Sequence, residues 1–269
     1  MKIVNKYPDG IFSWVDLNTT DLEGAHAFYS GLFGWEVDNQ PLPGGTSYTN
    51  FRIDGYSVAG AGELMPELKA AGAPSVWTSY VNHSDIDAIA ARATEAGGNV
   101  FLPPMDVMDQ GRMALIQDPT GAPFGLWQSA IHIGAQVVNQ PNSFVWNELQ
   151  TKDVETARAF YKQVFGWNEQ LDSSGYIMWA GGERVQCGCM AIDDDWGDMP
   201  SHWLVYFLVE DVDAAAARIS ELGGNVLHGP SEAGGMGKML VAQDPQGAMF
   251  ALIRFSGQAD EPPGSVTEV

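Results

Sequence analysis

Apolar and polar residues alternate from Ile11 to Leu17, and then the period changes: Leu22, Ala25, Tyr29 and Leu32 recur at helical spacing. Alternation puts every second side chain on one face of a strand, whereas a three-to-four-residue recurrence lines one face of a helix. A strand followed by a helix is therefore predicted. Thr20-Asp21-Leu22-Glu23 has the capping-box spacing at the junction, with Asp21 an alternative cap, and Gly34 supplies the stop. Tyr48 to Ile53 and Tyr56 to Ala61 read as strands turned by Asp54-Gly55.

The same order starts again at Val76. Val76 to Val81 is a strand, and Ser84 can cap a helix through Ile86, Ile89, Ala90 and Ala93 that stops at Gly97-Gly98. Val100 to Leu102, Arg112 to Gln117 and Pro123 to Trp127 follow as strands, the last after the turn Asp118-Pro119-Thr120-Gly121.

The whole pattern then repeats. Trp14-Val15-Asp16-Leu17 is answered by Trp146-Asn147-Glu148-Leu149, and Phe33-Gly34-Trp35 by Phe165-Gly166-Trp167, each 132 residues on. Gly97-Gly98-Asn99-Val100 is answered by Gly223-Gly224-Asn225-Val226, and Asp118-Pro119 by Asp244-Pro245, 126 residues on. Two homologous halves, each of two strand-helix-strands units, are predicted. One helix per three or four strands argues for an α+β fold with helices on one sheet face and the other face open as a cup. The expected division is 1–134 and 135–257, with a polar, Pro-containing tail at 258–269 expected to be disordered.

Composition narrows the function classes. With 13 Lys and Arg against 34 Asp and Glu, the formal charge is −21, so the surface repels phosphate backbones and nucleic acid is not an expected partner. No early segment has a basic start with a continuous apolar run, and no 18-residue apolar stretch occurs. Neither a signal peptide nor a membrane partner is expected. Cys187 and Cys189 are too close for an unstrained disulfide, and reduced thiols suit a cytoplasmic location.

The motifs Thr-Asp before a helix, Phe-Tyr-x-x-x-Phe-Gly-Trp, Val212-Asp213-Ala214 and Asp-Pro-x-Gly, spread from Ile11 to Arg254, resemble the vicinal oxygen chelate superfamily of glyoxalases, bleomycin-resistance proteins and extradiol dioxygenases. Trp14 to Leu17, Trp146 to Leu149 and Gly111-Arg112-Met113 resemble its tandem glyoxalase-like proteins from actinobacteria. The resemblance implies four βαβββ modules in two tandem domains, with curved mixed sheets forming cups. It also implies where a metal would be held: first-strand positions Trp14, Thr78, Trp146 and Leu204, and final-strand positions Gly125 and Ala251. None of the six is a usual metal ligand. No metal and no cofactor are therefore expected. Nor do His26, His83, His132, His202 and His228 show a ligand spacing, and Cys187-x-Cys189 lacks a second pair.

If Trp14 points into its cup, alternation sends Asp16 there too and turns Val15 and Leu17 to the helices. The twin cup receives Trp146 and Glu148. Thr78 with Tyr80, and Leu204 with Tyr206, share the inward face. Each cup then holds a Trp, a Tyr and a carboxylate, which suits a small molecule. An ion left unpaired in a dry interior is costly, so Asp16 and Glu148 need partners, and Arg112 and Lys238 stand at equivalent positions. The two carboxylates are either halves of bracing ion pairs or general acid/bases, with Tyr80 and Tyr206 steadying an oxyanion. Trp14 and Trp146 either plug the cups or stack on a ligand, while Trp35 and Trp167 are expected in the core. Asn147, Glu148, Cys187, Cys189 and His202 favour the second cup.

Three functions fit: metal-independent acid/base chemistry on a carbonyl, phenolic or polyketide-like molecule; sequestration of a planar drug or metabolite; or a metal enzyme with unusual ligands such as Glu148 and His202. Four modules in one chain suit a monomer, with a homodimer the alternative.

Overall fold

The computed structural model describes residues 1–42, 46–172 and 175–269. After an N-terminal strand β1 (Lys2–Lys6), the first module runs β2 (Ile11–Thr19), α1 (Leu22–Phe33), β3 (Glu36–Pro41), β4 (Ser47–Ile53) and β5 (Tyr56–Glu63). A short α2 (Pro66–Ala70) leads to the second: β6 (Val76–Asn82), α3 (Ile86–Glu95), β7 (Asn99–Val107), β8 (Gly111–Gln117) and β9 (Pro123–Ser129). The third is β10 (Phe144–Thr151), α4 (Val154–Phe165), β11 (Asn168–Leu171), β12 (Ile177–Gly181) and β13 (Arg184–Ala191). The fourth is β14 (His202–Leu208), α5 (Val212–Glu221), β15 (Asn225–Glu232), β16 (Gly237–Gln243) and β17 (Met249–Phe255), and β18 (Ser265–Glu268) ends the chain.

The modules pair within each half into an eight-stranded mixed sheet. The first has the order β3-β4-β5-β2-β6-β9-β8-β7 and the second β11-β12-β13-β10-β14-β17-β16-β15. The central pairs β2/β6 and β10/β14 are antiparallel, and each central strand is parallel to its outer neighbour. This is the predicted α+β fold of four βαβββ modules; β3 and β11, edge strands for which no residues were picked out in the sequence, complete the first and third.

The four long helices start on aspartates. Asp21, Asp85, Asp153 and Asp211 each accept from the backbone N–H three residues on, so Asp21 rather than Thr20, and Asp85 rather than Ser84, is the cap. A carboxylate there also complements the positive end of the helix dipole. Gly34 and Gly166 end α1 and α4 at φ 73° and 70°, a backbone region that costs glycine little.

The halves share one core, because each sends a helix against the other's second module. The Phe28 ring lies so close to Gly224 that a Cβ there would meet it at 2.8 Å, and Phe160 closes on Gly98 in the same way at 2.9 Å. The repeated Gly-Gly pairs are thus contacts between halves. Beside them run two matched hydrogen-bond chains: Trp77 Nε1 donates to Tyr29 Oη and Tyr29 to Asp244, while Trp203 Nε1 donates to Tyr161 Oη and Tyr161 to Asp118. Trp35 and Trp167 pack onto these tyrosines as core residues. Tyr29→Phe and Tyr161→Phe each leave a buried indole without an acceptor and a carboxylate short of a donor. Each is expected to lower stability by about 1–3 kcal/mol, read from urea midpoints at pH 7. An unchanged midpoint would show that the hydroxyls contribute nothing.

The terminal segment differs from its expectation. Ile3 and Val4 are buried, Val4 N–H donates to the Gln136 carbonyl, and β1 so anchored presents an edge that β18 pairs with. Lys2 pairs with Glu261, and Asn139 donates to the carbonyls of Asp260 and Glu261. Polar composition marked the segment as unable to build its own core, but a ready-made edge supplies what it lacks.

Candidate functional site

In the second half, alternation along β10 turns Trp146, Glu148 and Gln150 to the face away from the helices. Glu148, only 6% exposed, accepts from Tyr206 Oη on Oε1 at 2.9 Å, from Gln150 Nε2 on Oε1 at 3.0 Å, and from Tyr176 Oη on Oε2 at 2.6 Å. Trp146 Nε1 donates in turn to Tyr176 Oη at 3.3 Å. Gly188 faces Glu148 across the β10/β13 ladder, and a Cβ there would lie 1.8 Å from Tyr176 Oη. The missing side chain is what lets the tyrosine reach the carboxylate. Burial and the Glu148 charge push Tyr176 and Tyr206 far above the usual phenol range, so both remain donors.

This carboxylate lies at the wall of a cavity of about 960 Å³, within the range of small-molecule sites. Trp146, Tyr176, Tyr206, Ile253 and Phe255 form aromatic and aliphatic walls, and Gly257 to Asp260 runs along the rim. The first half contributes Ile11 and Phe12; Gln186 holds that seam by accepting from Phe12 N–H and donating to the Gly10 carbonyl.

The first cup has the same parts in another state. Trp14 Nε1 donates to Tyr48 Oη at 3.2 Å, and Tyr48 reaches over Gly60, which faces Asp16 in the β2/β5 ladder. Thr78 lies opposite Asp16 and Tyr80 opposite Trp14. Here, however, the linker places His132 edge-on against Trp14, ring centres 4.4 Å apart. Trp14 is 3% exposed. Trp14 is thus buried against His132, whereas Trp146 lines the cavity of the second half. Burial raises the Asp16 carboxyl to about 7 against an opposing hydrogen bond from Tyr48, while Asp16 Oδ1 has no partner. Burial, with the Arg52 charge, lowers His132 to about 4.

Several residues proposed from sequence lie elsewhere. Arg112 pairs with Asp87 and Asp106, and Lys238 with Asp213, all at the surface. Asp87 and Asp213 sit in the first turns of α3 and α5, so these pairs brace helix to sheet and do not touch Asp16 or Glu148. Cys187 and Cys189 flank inward-facing Gly188, so alternation turns both into the core, where burial pushes their thiols up. Asn147, by contrast, is among the residues lining the cavity, and its amide oxygen accepts from Ser79 across the two halves at 2.6 Å. His202 bonds the Pro200 carbonyl through Nδ1 and buries Nε2 without a partner; burial lowers its pKa while the Glu148 charge opposes that. Tyr48 and Tyr176 were missed, although they recur 128 residues apart, as do Gly60 and Gly188. A repeated tyrosine with a repeated strand glycine was the available signal.

The side chains at the family's metal positions do not fit a metal. Trp14, Thr78, Trp146, Leu204 and Ala251 offer no imidazole or carboxylate, and the space beside Gly125 is filled by the Tyr80 ring, 2.1 Å from where a Cβ would stand. Among the described residues, no three His, Cys, Asp or Glu side chains gather as a metal site.

With this geometry in place, comparison with known proteins is decisive for the family. The model of the Glyoxalase/Bleomycin resistance protein/Dioxygenase superfamily matches residues 11–126 and 140–252. The chain belongs to this superfamily. Among its relatives is a Mycobacterium tuberculosis protein provisionally named glyoxylase CFP32, 39% identical over 259 residues, covering 94% of this chain and 98% of the relative. The anthracycline biosynthesis protein DnrV of Streptomyces peucetius is 34% identical over 265 residues, 94% of this chain and 96% of its own. Among solved structures, the 2,3-dioxygenase LapB from Pseudomonas sp. KL28 superposes with a TM-score of 0.65 at 17% identity, covering 95% and 96% of the two chains. The Mn(II)-bound glyoxalase from Novosphingobium aromaticivorans gives 0.64 at 15%, covering 97% and 85%. At these identities the structures establish the shared fold. Family membership supports a small-molecule function of the glyoxalase–dioxygenase type. No helix of the described residues is long and apolar enough to cross a membrane.

Proposed function

We propose that this superfamily member is an enzyme whose second cup moves a proton at a carbonyl or phenolic group of a planar, polyketide-like substrate, without a metal. The observation that carries the reading is Glu148: a carboxylate in the wall of a mainly apolar cavity, held by three donors. A carboxylate has about four lone-pair sites, so one remains for the substrate. In the step proposed, the substrate's C–H or O–H proton passes to Glu148 and the electron pair moves onto the substrate oxygen. Tyr206, or Tyr176, turns its O–H to that oxyanion, and Glu148 later returns the proton to another position. The net change is an isomerisation, with no oxidant consumed. The relatives named for anthracycline biosynthesis support the polyketide-like substrate class.

The test is solvent-deuterium incorporation, followed by mass spectrometry, across a panel of hydroxyquinones and polyketide ketones with protein dialysed against EDTA. Exchange that survives chelation is expected. Exchange lost to EDTA and restored by one divalent ion would overturn the metal-free step. Stoichiometric binding with no exchange would replace the enzyme reading with sequestration.

A further inference from the structure

The walls of the second cavity are rich in one residue type. Of the chain's 11 methionines, six line it: Met178, Met190, Met199, Met236, Met239 and Met249. The lining comprises 37 of 269 residues, so an even spread would place only one or two there. They come from β12, β13, β16, β17 and two separate loops, so no local run of sequence accounts for them.

The duplication supplies an internal control. In the first half, the positions matching Met178, Met190, Met236, Met239 and Met249 hold Asn50, Gly62, Gln110, Met113 and Pro123. Four of the five are not methionine, although the ladders correspond: Asn50 and Met178 both face the strand glycine, Gly60 or Gly188. The methionine wall therefore belongs to the open cup, not to the fold.

Methionine is unbranched, has three freely turning bonds and carries a polarisable sulfur that favours aromatic rings. Leucine or isoleucine would fix one outline for the cavity. Methionines opposite aromatic walls can re-form around several, as they do on surfaces that bind many partners. We infer that the second cup accepts a range of planar polycyclic aromatic molecules of different ring outline, its methionines re-packing on the ring faces. This rests on the reading of that cup as the substrate site and adds the breadth of its substrate class.

The experiment is methyl NMR on the full chain labelled with [methyl-13C]methionine. The probes are 1,8-dihydroxyanthraquinone, a linear tetracyclic naphthacenequinone and an angular benz[a]anthraquinone, with a saturated steroid of similar size as the non-aromatic control. Ring-current shifts are expected on the six cavity methyls, in a different pattern for each outline. Met1, Met65, Met105, Met108 and Met113 are expected to stay in place. The three quinones should bind within about tenfold of each other and all more tightly than the steroid. The variant M178L/M239L/M249L should spread their affinities beyond tenfold while still binding at least one. The inference is overturned if one or two fixed methyls respond alike to all three, if the steroid binds as well, or if the variant leaves the affinities together. It is overturned too if no methyl moves. Deuterium exchange at Glu148 is read independently, so a single-substrate enzyme would fail here and pass there, whereas a sequestering protein would do the reverse.

Discussion

Replacing Glu148 with Gln should lower turnover in the second cup by about 10²–10⁴-fold, the usual worth of a positioned acid/base, with the melting temperature held within a few degrees. The amide has the shape of the carboxylate. Its oxygen can keep the bonds from Tyr206 and Gln150, and its Nε2 can donate to Tyr176 Oη, which already accepts from Trp146. Every acceptor in the network thus keeps a donor, and only the Tyr176 O–H loses its acceptor, at the wall of the cavity that Tyr176 lines, while the proton acceptor is lost. The measurement is kcat and KM on a substrate found by deuterium exchange, with thermal melts of both proteins. A fall in kcat at unchanged KM is the signature of a group acting in the transition state. Joint loss of activity and melting temperature would instead make Glu148 a brace for the sheet. The corresponding substitution in the other cup, Asp16→Asn, should leave turnover unchanged, because there Trp14 is buried against His132 where Trp146 lines the cavity.

How far this site could be read from sequence depends on which kind of geometry each inference needed. Alternation along a single strand sufficed to turn Trp14, Asp16, Trp146 and Glu148 to one face, and Val15 and Leu17 to the other. The duplication then exposed the module plan, since a pattern occurring twice at fixed spacing marks a repeated unit. Both are local properties of the chain, and both agree with the structure.

Some inferences failed because they needed to know which strand lies beside which. Arg112 and Lys238 looked like partners for the carboxylates because they were the cations at equivalent positions. Their true partners, Asp87 and Asp213, lie 25 residues earlier in helices that pack under the same strands. Cys187 and Cys189 failed for another reason: they were placed in the cup by nearness in sequence to inward residues, yet alternation itself turns a neighbour of an inward residue outward. Gly188 takes the inward position between the two cysteines, and had it been used as the reference, both thiols would have been assigned to the core. The tyrosines that hold Glu148 and reach toward Asp16 sit on β12's approach and on β4, two strands away, and no periodicity links them to β10 or β2. Nor does any sequence pattern foretell that His132 packs on the tryptophan of one of two otherwise matched cups.

Burial in that cup has a thermodynamic consequence at Asp16. Its carboxyl titrates at about 7 in the folded protein against 3.8 as the ordinary value, mainly because burial disfavours the ion. Between those values the folded state holds a proton that the unfolded chain has released. Stability contributed by this group is therefore fully present below about pH 4, falls as pH rises, and is at its lowest above 7. Every tenfold difference in proton affinity between the folded and unfolded chains is worth about 1.4 kcal/mol, and residual exposure of the rest of the side chain holds the total to a few kcal/mol. Asp16→Asn keeps the shape, cannot ionise, and can donate toward a space where Asp16 Oδ1 and Asn50 Oδ1 are both buried acceptors without partners. The variant should therefore melt higher than the native protein at pH 8, by roughly 5–10 °C for a chain of this size, with a much smaller gap at pH 5. Melts of the two proteins at both pH values, in matched ionic strength, decide the matter, since every other titrating group is common to both. A variant less stable at pH 8, or a gap independent of pH, would mean that the Asp16 ion is stabilised in place, and the first cup would then have to be treated as a working site beside the second.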